Sequence, residues 1–357
     1  MTDHLKVKPS IFLKVKREAN NCLESIVFEN NGIIYGGYVR DSIIVDEYTK
    51  RFHKENPYGD LCNQFYDKNI SPETLPRLII PSDMDVCFHN MDDADNFISA
   101  VRRIPQFRNV YINDTSAKKY YSPKILCVKS ISIYLTVGEI PFISRGKTVI
   151  MSMDVVIPKP NIDLEPPFNN LDMLCNGFIK VKQGYTEDAI RFSKNTGTCI
   201  DFYSLTDRIQ VISGIIKDLV EFKTYLAFSQ HYTPQNAKRC NVVAMRRVMK
   251  MHRKTHKWSF RNMPYKIEKS VDAACQDNCC VCFSNIEVGE EKAYTVTHTE
   301  NGDKLEGAKM HHMCFLQYLY HQQKDYVIGD DVFIFKCPYR NPVDFRKCIS
   351  DISTAYL

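Results

Sequence analysis

Three aspartates in strand-like segments are the residues of this chain best suited to phosphate chemistry. Asp83 and Asp85 stand two residues apart within the run at 79–88, so on a strand they project from the same face. Asp154 lies inside a second strand-like run, at 151–157. Carboxylates of this kind bind divalent cations, and two cations about 4 Å apart can activate a hydroxyl and stabilise the leaving oxygen. The pattern predicts two Mg²⁺ or Mn²⁺ ions bound by the three acids, with a nucleoside triphosphate as substrate.

A glycine pair upstream of these acids is suited to phosphate binding. Gly36 and Gly37 follow the apolar run at 32–35 and precede a segment typical of a helix start. Glycine lets backbone N–H groups approach a phosphate at the beginning of a helix. A lone glycine pair is usually a turn and a lone Asp-x-Asp is usually a solvated loop. It is the order of glycine pair, acid pair and third acid that favours catalysis.

Taken together, these motifs resemble the polymerase-β-type nucleotidyltransferase superfamily, in particular its tRNA nucleotidyltransferase and bacterial poly(A) polymerase branch. The run Gly-Gly-Tyr-Val-Arg-Asp at 36–41 matches the branch's Gly-Gly-x-Val-Arg-Asp, and Ser-Asp-Met-Asp-Val at 82–86 looks like its acidic strand. The resemblance covers about residues 30–200 and implies an enzyme with this fold. It also implies that Asp83 and Asp85 bridge both ions and that Asp154 completes the site of the hydroxyl-activating ion.

Two further segments are similar to motifs of the same branch. Asp172 and Asn176 match its Arg-Arg-Asp-Phe-Thr-x-Asn, although Asn170 and Leu171 stand where the arginines would be. The run Glu-Asp-Ala-Ile-Arg at 187–191 resembles the element that reads the incoming base. The resemblance implies a set of nucleotide-binding residues: Gly36, Gly37, Arg40, Asp41, Asp172, Asn176 and Arg191.

A cysteine and histidine cluster near the end of the chain predicts a zinc site. The chain has 14 cysteines and no secretory signal, which favours reduced thiols over disulfides. Cys279 and Cys282 form one ligand pair, and His311 and Cys314 form another about thirty residues later, as in a tetrahedral Cys₃His site. His312 could replace its neighbour His311 as a ligand, or Cys280 could replace its neighbour Cys279. The alternative to a zinc site is a group of buried thiols that bind no metal.

The order of these pairs resembles a RING finger, in which they share one zinc ion. The second zinc site of a RING is not expected here, because Ala308 and Met310 occupy the region of its Cys-x-His and Arg340 replaces its last cysteine. The sequence therefore predicts one Zn²⁺ ion per chain. The ion would stabilise a module that is too small to fold unaided. The resemblance implies a degenerate RING used to dock a protein partner.

A basic segment between these regions predicts an RNA-binding helix. Its candidate phosphate contacts are Arg246, Arg247, Lys250 and Arg253, and Trp258, Phe260 and Tyr265 could stack on unpaired bases. The alternative is a solvated helix face, which is the usual reading of a charge run.

The patterns predict an α+β fold with a mixed nucleotidyltransferase sheet flanked by helices, a helical middle region and a small zinc-binding RING-like module. Helices are expected at 8–30, from 39, at 207–228 and at 237–256, with the pattern turning helical from 170 onward. Strands are expected at 32–35, 79–88, 125–137 and 149–157. The predicted domains are a catalytic domain at 1–200 with an insertion at about 48–80, a helical region at 201–270 and the zinc module at 271–357.

The sequence favours a metal-dependent, template-independent nucleotidyltransferase that extends an RNA 3′ end. The alternatives are a RING-like adaptor or ubiquitin ligase carrying an inactive nucleotidyltransferase fold, and transfer of the nucleotide to a protein hydroxyl. No apolar run is long enough to span a bilayer, so no membrane partner is expected. The expected location is the cytoplasm, which for a viral protein means the host cytoplasm or the virion, with the nucleus as an alternative.

Overall fold

A computed structural model describes much of the chain as two compact units, Met1–Glu221 and Phe222–Ala355. The described residues are 9–55, 81, 83–107, 109–115, 124–135, 148–160, 162, 165–168, 171–182, 190–194, 205–227, 244–252, 254, 258–261, 263, 266–270, 277–298, 304–322, 335–340 and 342–343. Within these ranges no helix has the length and apolar character needed to cross a membrane. The three predicted domain ranges stay predictions.

The first unit is built on a seven-stranded mixed sheet in the order β3-β4-β5-β2-β1-β6-β7. Its strands are β1 (Ile33–Tyr35), β2 (Asp83–Cys87), β3 (Asn109–Thr115), β4 (Ile125–Leu135), β5 (Thr148–Pro158), β6 (Phe178–Lys180) and β7 (Ile190–Phe192). Strands β2 and β5 run parallel, and every other neighbouring pair in this sheet is antiparallel. The chain is therefore a mixed α/β protein, as the sequence predicts at this coarse level.

Helices cover one face of this sheet because alternate strand residues supply an apolar surface there. The helices of this unit are α1 (Pro9–Glu29), α2 (Gly37–Glu55), α3 (Met91–Arg103) and α4 (Leu205–Val220), with short 3₁₀ turns at Pro105–Phe107 and Leu174–Asn176. Met84 and Met153 are paired across β2 and β5, and both are buried. Helices α1 and α3 pack on β5, and the rings of Phe88 and Phe97 lie 5.0 Å apart.

The opposite face of the sheet carries the acids. Asp83 is exposed and Asp85 and Asp154 are half-buried, whereas the intervening Met84 and Val86 are buried. Farther along the same face, an apolar cluster follows the polar residues. Its members are Cys87, Ile125, Val128, Val156 and Phe168, with Ile33 and Tyr35 packed against them.

Several sequence predictions differ from these elements. The helix expected from 39 begins at Gly37, and residues 48–55 continue it, while residues 56–80 lie outside the described ranges. The helical pattern expected from 170 is wrong for 171–182 and 190–192, where a 3₁₀ turn and strands β6 and β7 form. The helix expected at 207–228 ends at Val220, because Phe222 adopts the left-handed region (φ 56°) and a strand begins at Lys223.

The described residues of the second unit form small sheets and helical segments. Strands β8 (Lys223–Tyr225) and β9 (Ser259–Arg261) pair in parallel. Strands β10 (Lys266–Lys269), β11 (Glu291–His298) and β12 (Lys304–His311) form an antiparallel sheet, followed by helix α5 (His312–Gln322) and the pair β13 (Phe335–Lys336) and β14 (Pro342–Val343). Residues 244–252 are helical, which agrees with part of the predicted basic helix; residues 237–243 lie outside the description.

Candidate active site and zinc centre

Strand pairing places the catalytic candidates next to one another. Asp85 and Asp154 are direct partners in the parallel pair β2–β5, and Asp83 is the partner of Ser152. Neighbouring strands are about 4.8 Å apart and successive residues advance about 3.3 Å. The Cα atoms of Asp83 and Asp154 are therefore about 8 Å apart, which is within the reach of two carboxylates toward shared ions.

The carboxylate of Asp154 is held from the next strand. Ser130 of β4 is the register partner of Asp154, and its hydroxyl donates a hydrogen bond of 2.7 Å to Oδ1. This bond orients the carboxylate of Asp154 on the acidic face of the sheet. Sequence reasoning missed Ser130, because register across an antiparallel pair is not visible in a single strand.

Gly36 brings the start of helix α2 against the acids. Its backbone has φ 73°, and its carbonyl accepts the N–H of Arg40 at 3.1 Å as the helix begins. The positive φ favours glycine at this position, and a Cβ built there would lie 3.5 Å from Oδ2 of Asp85, an ordinary van der Waals distance. The positive end of the helix dipole and its first N–H groups thus lie near the carboxylate of Asp85.

A buried polar network joins two of the predicted nucleotide motifs. The Arg40 guanidinium is 2.6 Å from Oδ1 of Asp41 and donates at 2.9 Å to Oδ1 of Asn176. Asn176 in turn donates at 3.0 Å to Oδ1 of Asp172. Burial alone would lower the pKa of Arg40, but the charge of Asp41 and the hydrogen bonds raise it, so the side chain stays cationic.

Arg40 is 4% exposed, and its guanidinium donates hydrogen bonds to Asp41 and Asn176. It is better placed to position Asn176 and Asp172 than to contact a phosphate directly. Leu171, which replaces an arginine of the family motif, is buried, and Asn170 lies outside the described residues.

Arg191 lies on the same row of the sheet as Asp85. Tyr35 pairs with both Asp85 and Ile179, and Ile179 pairs with Arg191, so all four residues share one face. The guanidinium forms an ion pair with Glu165, a buried acid that also accepts the N–H of Lys194 at 2.6 Å. Glu187 and Asp188 of the same predicted element lie outside the description.

Within the described ranges, one group of three or more Cys, His, Asp or Glu side chains brings its ligating atoms within 4.8 Å of one another. It consists of Cys279, Cys282, His311 and Cys314, the predicted zinc ligands; the three aspartates are spaced more widely. Nδ1 of His311 lies 3.3 Å from Sγ of Cys282 and 3.7 Å from Sγ of Cys314. Tetrahedral zinc with bonds of about 2.0–2.3 Å needs edges of about 3.5–3.8 Å, so the cluster could hold such an ion.

Local backbone structure builds this cluster. The turn at 279–284 is closed by Phe283 N–H to the Cys279 carbonyl at 2.8 Å and by Cys279 N–H to the Ser284 carbonyl at 2.9 Å. Phe283 takes φ 61° to complete it. The second ligand pair straddles the junction of β12 and α5, with His311 as the last strand residue.

The surroundings select the ligands among the alternatives. Nε2 of His311 lies 3.1 Å from the Asn285 carbonyl, and donation to it leaves Nδ1 as the metal-binding nitrogen. His312 instead lies 3.1 Å from Oε2 of Glu291, and Cys280 is not part of the group. Cys275, a further candidate, lies outside the description.

The thiols of the cluster differ in their titration. Hydrogen bonds from Ser284, backbone first, and from the neighbouring thiols lower the pKa of Cys282 to about 6. Burial, with the neighbouring Cys282 and Cys279, raises the pKa of Cys314 to about 12. The thiolate form is therefore favoured at Cys282, and a bound dication would favour ionisation of Cys314 as well.

The RNA-binding candidates fall into two groups. Arg246, Arg247 and Lys250 are exposed on the 244–252 helix, as predicted for a basic face; Arg253 and Tyr265 lie outside the described residues. Trp258 and Phe260 are 2% and 1% exposed, so the prediction that they stack on bases is wrong. They pack in the core of the second unit, where the Trp258 and Phe222 rings are 5.4 Å apart.

No protein-family model, curated protein or solved structure matches this chain.

Removal of the buried guanidinium is expected to destabilise the first unit. Arg40→Ala should lower the free energy of unfolding by about 3–5 kcal/mol, because it takes the cation from beside a buried carboxylate. Urea unfolding followed by circular dichroism measures the change. Arg17→Ala, at an exposed position of α1, should change it by less than about 0.5 kcal/mol. Similar small losses in both variants would contradict the structural role of Arg40.

The cluster predicts one zinc ion per chain in the purified protein, measured by elemental analysis. Cys279→Ser should weaken zinc binding by more than about 10–100-fold. That range is typical for the loss of a residue that hydrogen-bonds to a ligand, whereas this change removes a ligand itself. Cys22→Ser, a half-buried thiol of the first unit, is the matched control and should retain the ion. Absence of zinc from the wild-type protein would identify the cluster as unligated thiols, and two ions would reveal further ligands.

Proposed function

We propose that this chain is a metal-dependent, template-independent nucleotidyltransferase that adds nucleotides to an RNA 3′ end. The observation that carries the proposal is the direct pairing of Asp85 with Asp154, beside the start of α2 at Gly36. Two carboxylates placed opposite each other in a sheet repel and cost stability. A divalent cation bound between the two carboxylates would offset this repulsion.

Each predicted residue has a role consistent with its place. Asp83 and Asp85 would bridge two Mg²⁺ or Mn²⁺ ions, and Asp154, oriented by Ser130, would complete one of the two sites. When bound, these ions supply activation of the acceptor hydroxyl and stabilisation of the leaving pyrophosphate. The N–H groups that begin α2 at Gly37 would receive the triphosphate, since an anion is favoured at a helix start.

The remaining nucleotide-binding candidates border the same face. Asp172 is half-buried and is held by Asn176, so its carboxylate is fixed for a hydrogen bond to the nucleotide. Arg191 is held by Glu165 on the row that contains Asp85. The resemblance to the polymerase-β-type superfamily supports the same assignment. Both the nucleotidyltransferase fold and the nucleotidyltransferase activity are parts of this proposal.

The proposal that RNA is the acceptor depends on the basic helix. Arg246, Arg247 and Lys250 form an exposed cationic face, and single-stranded RNA is a partner of opposite charge. Protein hydroxyls could use the same acids as acceptors but would not need this face.

A RING-like adaptor or ubiquitin ligase is the second candidate, because two large side chains of the second unit are exposed. Phe283, directly after Cys282, is 82% exposed, and Tyr339 is 63% exposed. Exposed apolar groups of this size are typical of contacts with proteins. Phe283→Ser should abolish capture of a protein partner under this alternative and leave nucleotide transfer unchanged under the first.

The first test of the enzyme is transfer of labelled nucleotides to mixed RNA with Mg²⁺ or Mn²⁺, resolved on a gel. Asp85→Asn should reduce transfer by at least about 100-fold, because a lost metal ligand removes several kcal/mol of transition-state stabilisation. Asp95→Asn makes the same change at an exposed acid of α3 and should leave transfer unchanged. Full transfer by Asp85→Asn would refute the mechanism, and label on protein rather than RNA would redirect it to a protein acceptor.

The second test concerns RNA. Replacing Arg246, Arg247 and Lys250 together by Ala should weaken RNA binding and reduce the slope of log affinity against log salt by about 2, as fewer counterions are released. Fluorescence anisotropy of a labelled single strand at several salt concentrations measures both. Replacing exposed Arg102, Arg103 and Lys124 of the first unit removes the same charge and serves as the control. An unchanged titration of the first variant would show that its helix face is merely solvated.

A further inference from the structure

The basic face belongs to a helix whose other side is buried in the second unit. Arg246, Arg247 and Lys250 are exposed, and the residues between and after them face inward. The buried residues of this helix are Ala244, Met245, Val248, Met249, Met251 and His252. The position of the three cations is thus set by what packs beneath the helix.

His252 connects the buried side of this helix to the zinc module. It is 2% exposed, and its ring lies 5.1 Å from the ring of Phe260 and 5.7 Å from that of His312. Both rings meet it edge-on, which is a favoured geometry between aromatic rings. Through His312, the basic helix contacts the residue that directly follows a zinc ligand.

His312 is held tightly at that position. It is 3% exposed, begins helix α5 and lies 3.1 Å from the carboxylate of Glu291 on β11. The hydrogen bond from His312 lowers the pKa of Glu291 against the effect of burial, and the charges of His312 and His252 act in the same direction. The contact with Glu291 therefore holds His312 at the start of α5.

The ligands His311 and Cys314 stand on either side of His312. A metal ion bound by them would tie the first turn of α5 to the turn at 279–284, which carries Cys279 and Cys282. Small metal modules gain most of their folding free energy from the ion. A bound ion would therefore fix His312, and with it the ring contact that supports the basic helix.

We propose that the zinc cluster and the cationic face of the 244–252 helix form one cooperative unit, in which zinc stabilises the conformation that binds single-stranded RNA. The inference rests on the RNA-acceptor part of the proposed function. It assigns the zinc ion a role inside the chain, as the support of a polyanion-binding surface, and His252 a role as the positioning residue that transmits this support.

Thermodynamic reciprocity makes the proposal measurable from both sides. If zinc raises the affinity for RNA by some factor, RNA must raise the affinity for zinc by the same factor. RNA affinity is read from the anisotropy of a fluorescein-labelled oligouridylate, with and without a zinc-selective chelator. Zinc affinity is read from competition with a chromogenic chelator, with and without saturating oligouridylate.

We expect zinc removal to weaken RNA binding at least about tenfold and to reduce its salt slope by about 2, the loss expected when three phosphate contacts disappear. RNA should tighten zinc binding by the same factor. His252→Ala should weaken both affinities, and His252→Phe, which keeps an aromatic ring at this site, should restore them.

The variant in which Arg246, Arg247 and Lys250 are replaced by Ala distinguishes the RNA-acceptor assignment from the coupling between zinc and RNA. It should bind zinc as the wild type does but lose the effect of RNA on zinc affinity. If it binds RNA like the wild type, the RNA-acceptor assignment is wrong. If it loses RNA binding while zinc-free wild-type protein keeps affinity and salt slope, the assignment stands and the coupling is overturned. Unchanged affinities in His252→Ala would equally overturn the coupling.

Discussion

The parallel pairing of β2 with β5 is the constraint on which the candidate active site depends. This register sets Asp85 opposite Asp154 and Met84 opposite Met153, so one face becomes acidic while the other becomes core. A slip of one residue would bury the carboxylates among the helices and expose the methionines. The apolar face, packed on α1 and α3, therefore holds the acids in place.

The second unit depends on a different kind of constraint. Its sheets are short, and its core relies on a few large side chains such as Trp258, Phe260 and Phe315. Surface ion pairs such as Lys309 with Asp277, 2.7 Å apart, contribute little to stability. Among the described residues, the cysteine and histidine cluster brings the turn at 279–284 together with the junction of β12 and α5.

Sequence patterns were most informative where chemistry and periodicity agreed. The strand at 125–135 and the strand at 148–158 follow from their β-branched residues, and the cysteine and histidine cluster follows from the paired spacing of its members. The end of α4 could not be predicted, because Phe222 takes a left-handed conformation that usually belongs to glycine. The pairing of Arg40 with Asn176 spans 136 residues and depends on tertiary structure alone. The basic run before Trp258 suggested that its ring could stack on unpaired bases. The ring is buried instead, because residues distant in the sequence cover it.

The pairing of β10 with β11 has a consequence for dissecting the protein. Lys266–Lys269 lie before the predicted start of the zinc module at 271, yet they form the outer strand beside Glu291 and Lys292. A fragment that began at 271 would leave this edge of β11 without its partner strand. Open strand edges recruit other chains, so such a fragment would be prone to self-association through its backbone. A fragment that keeps both β10 and the parallel pair β8–β9 starts no later than Phe222.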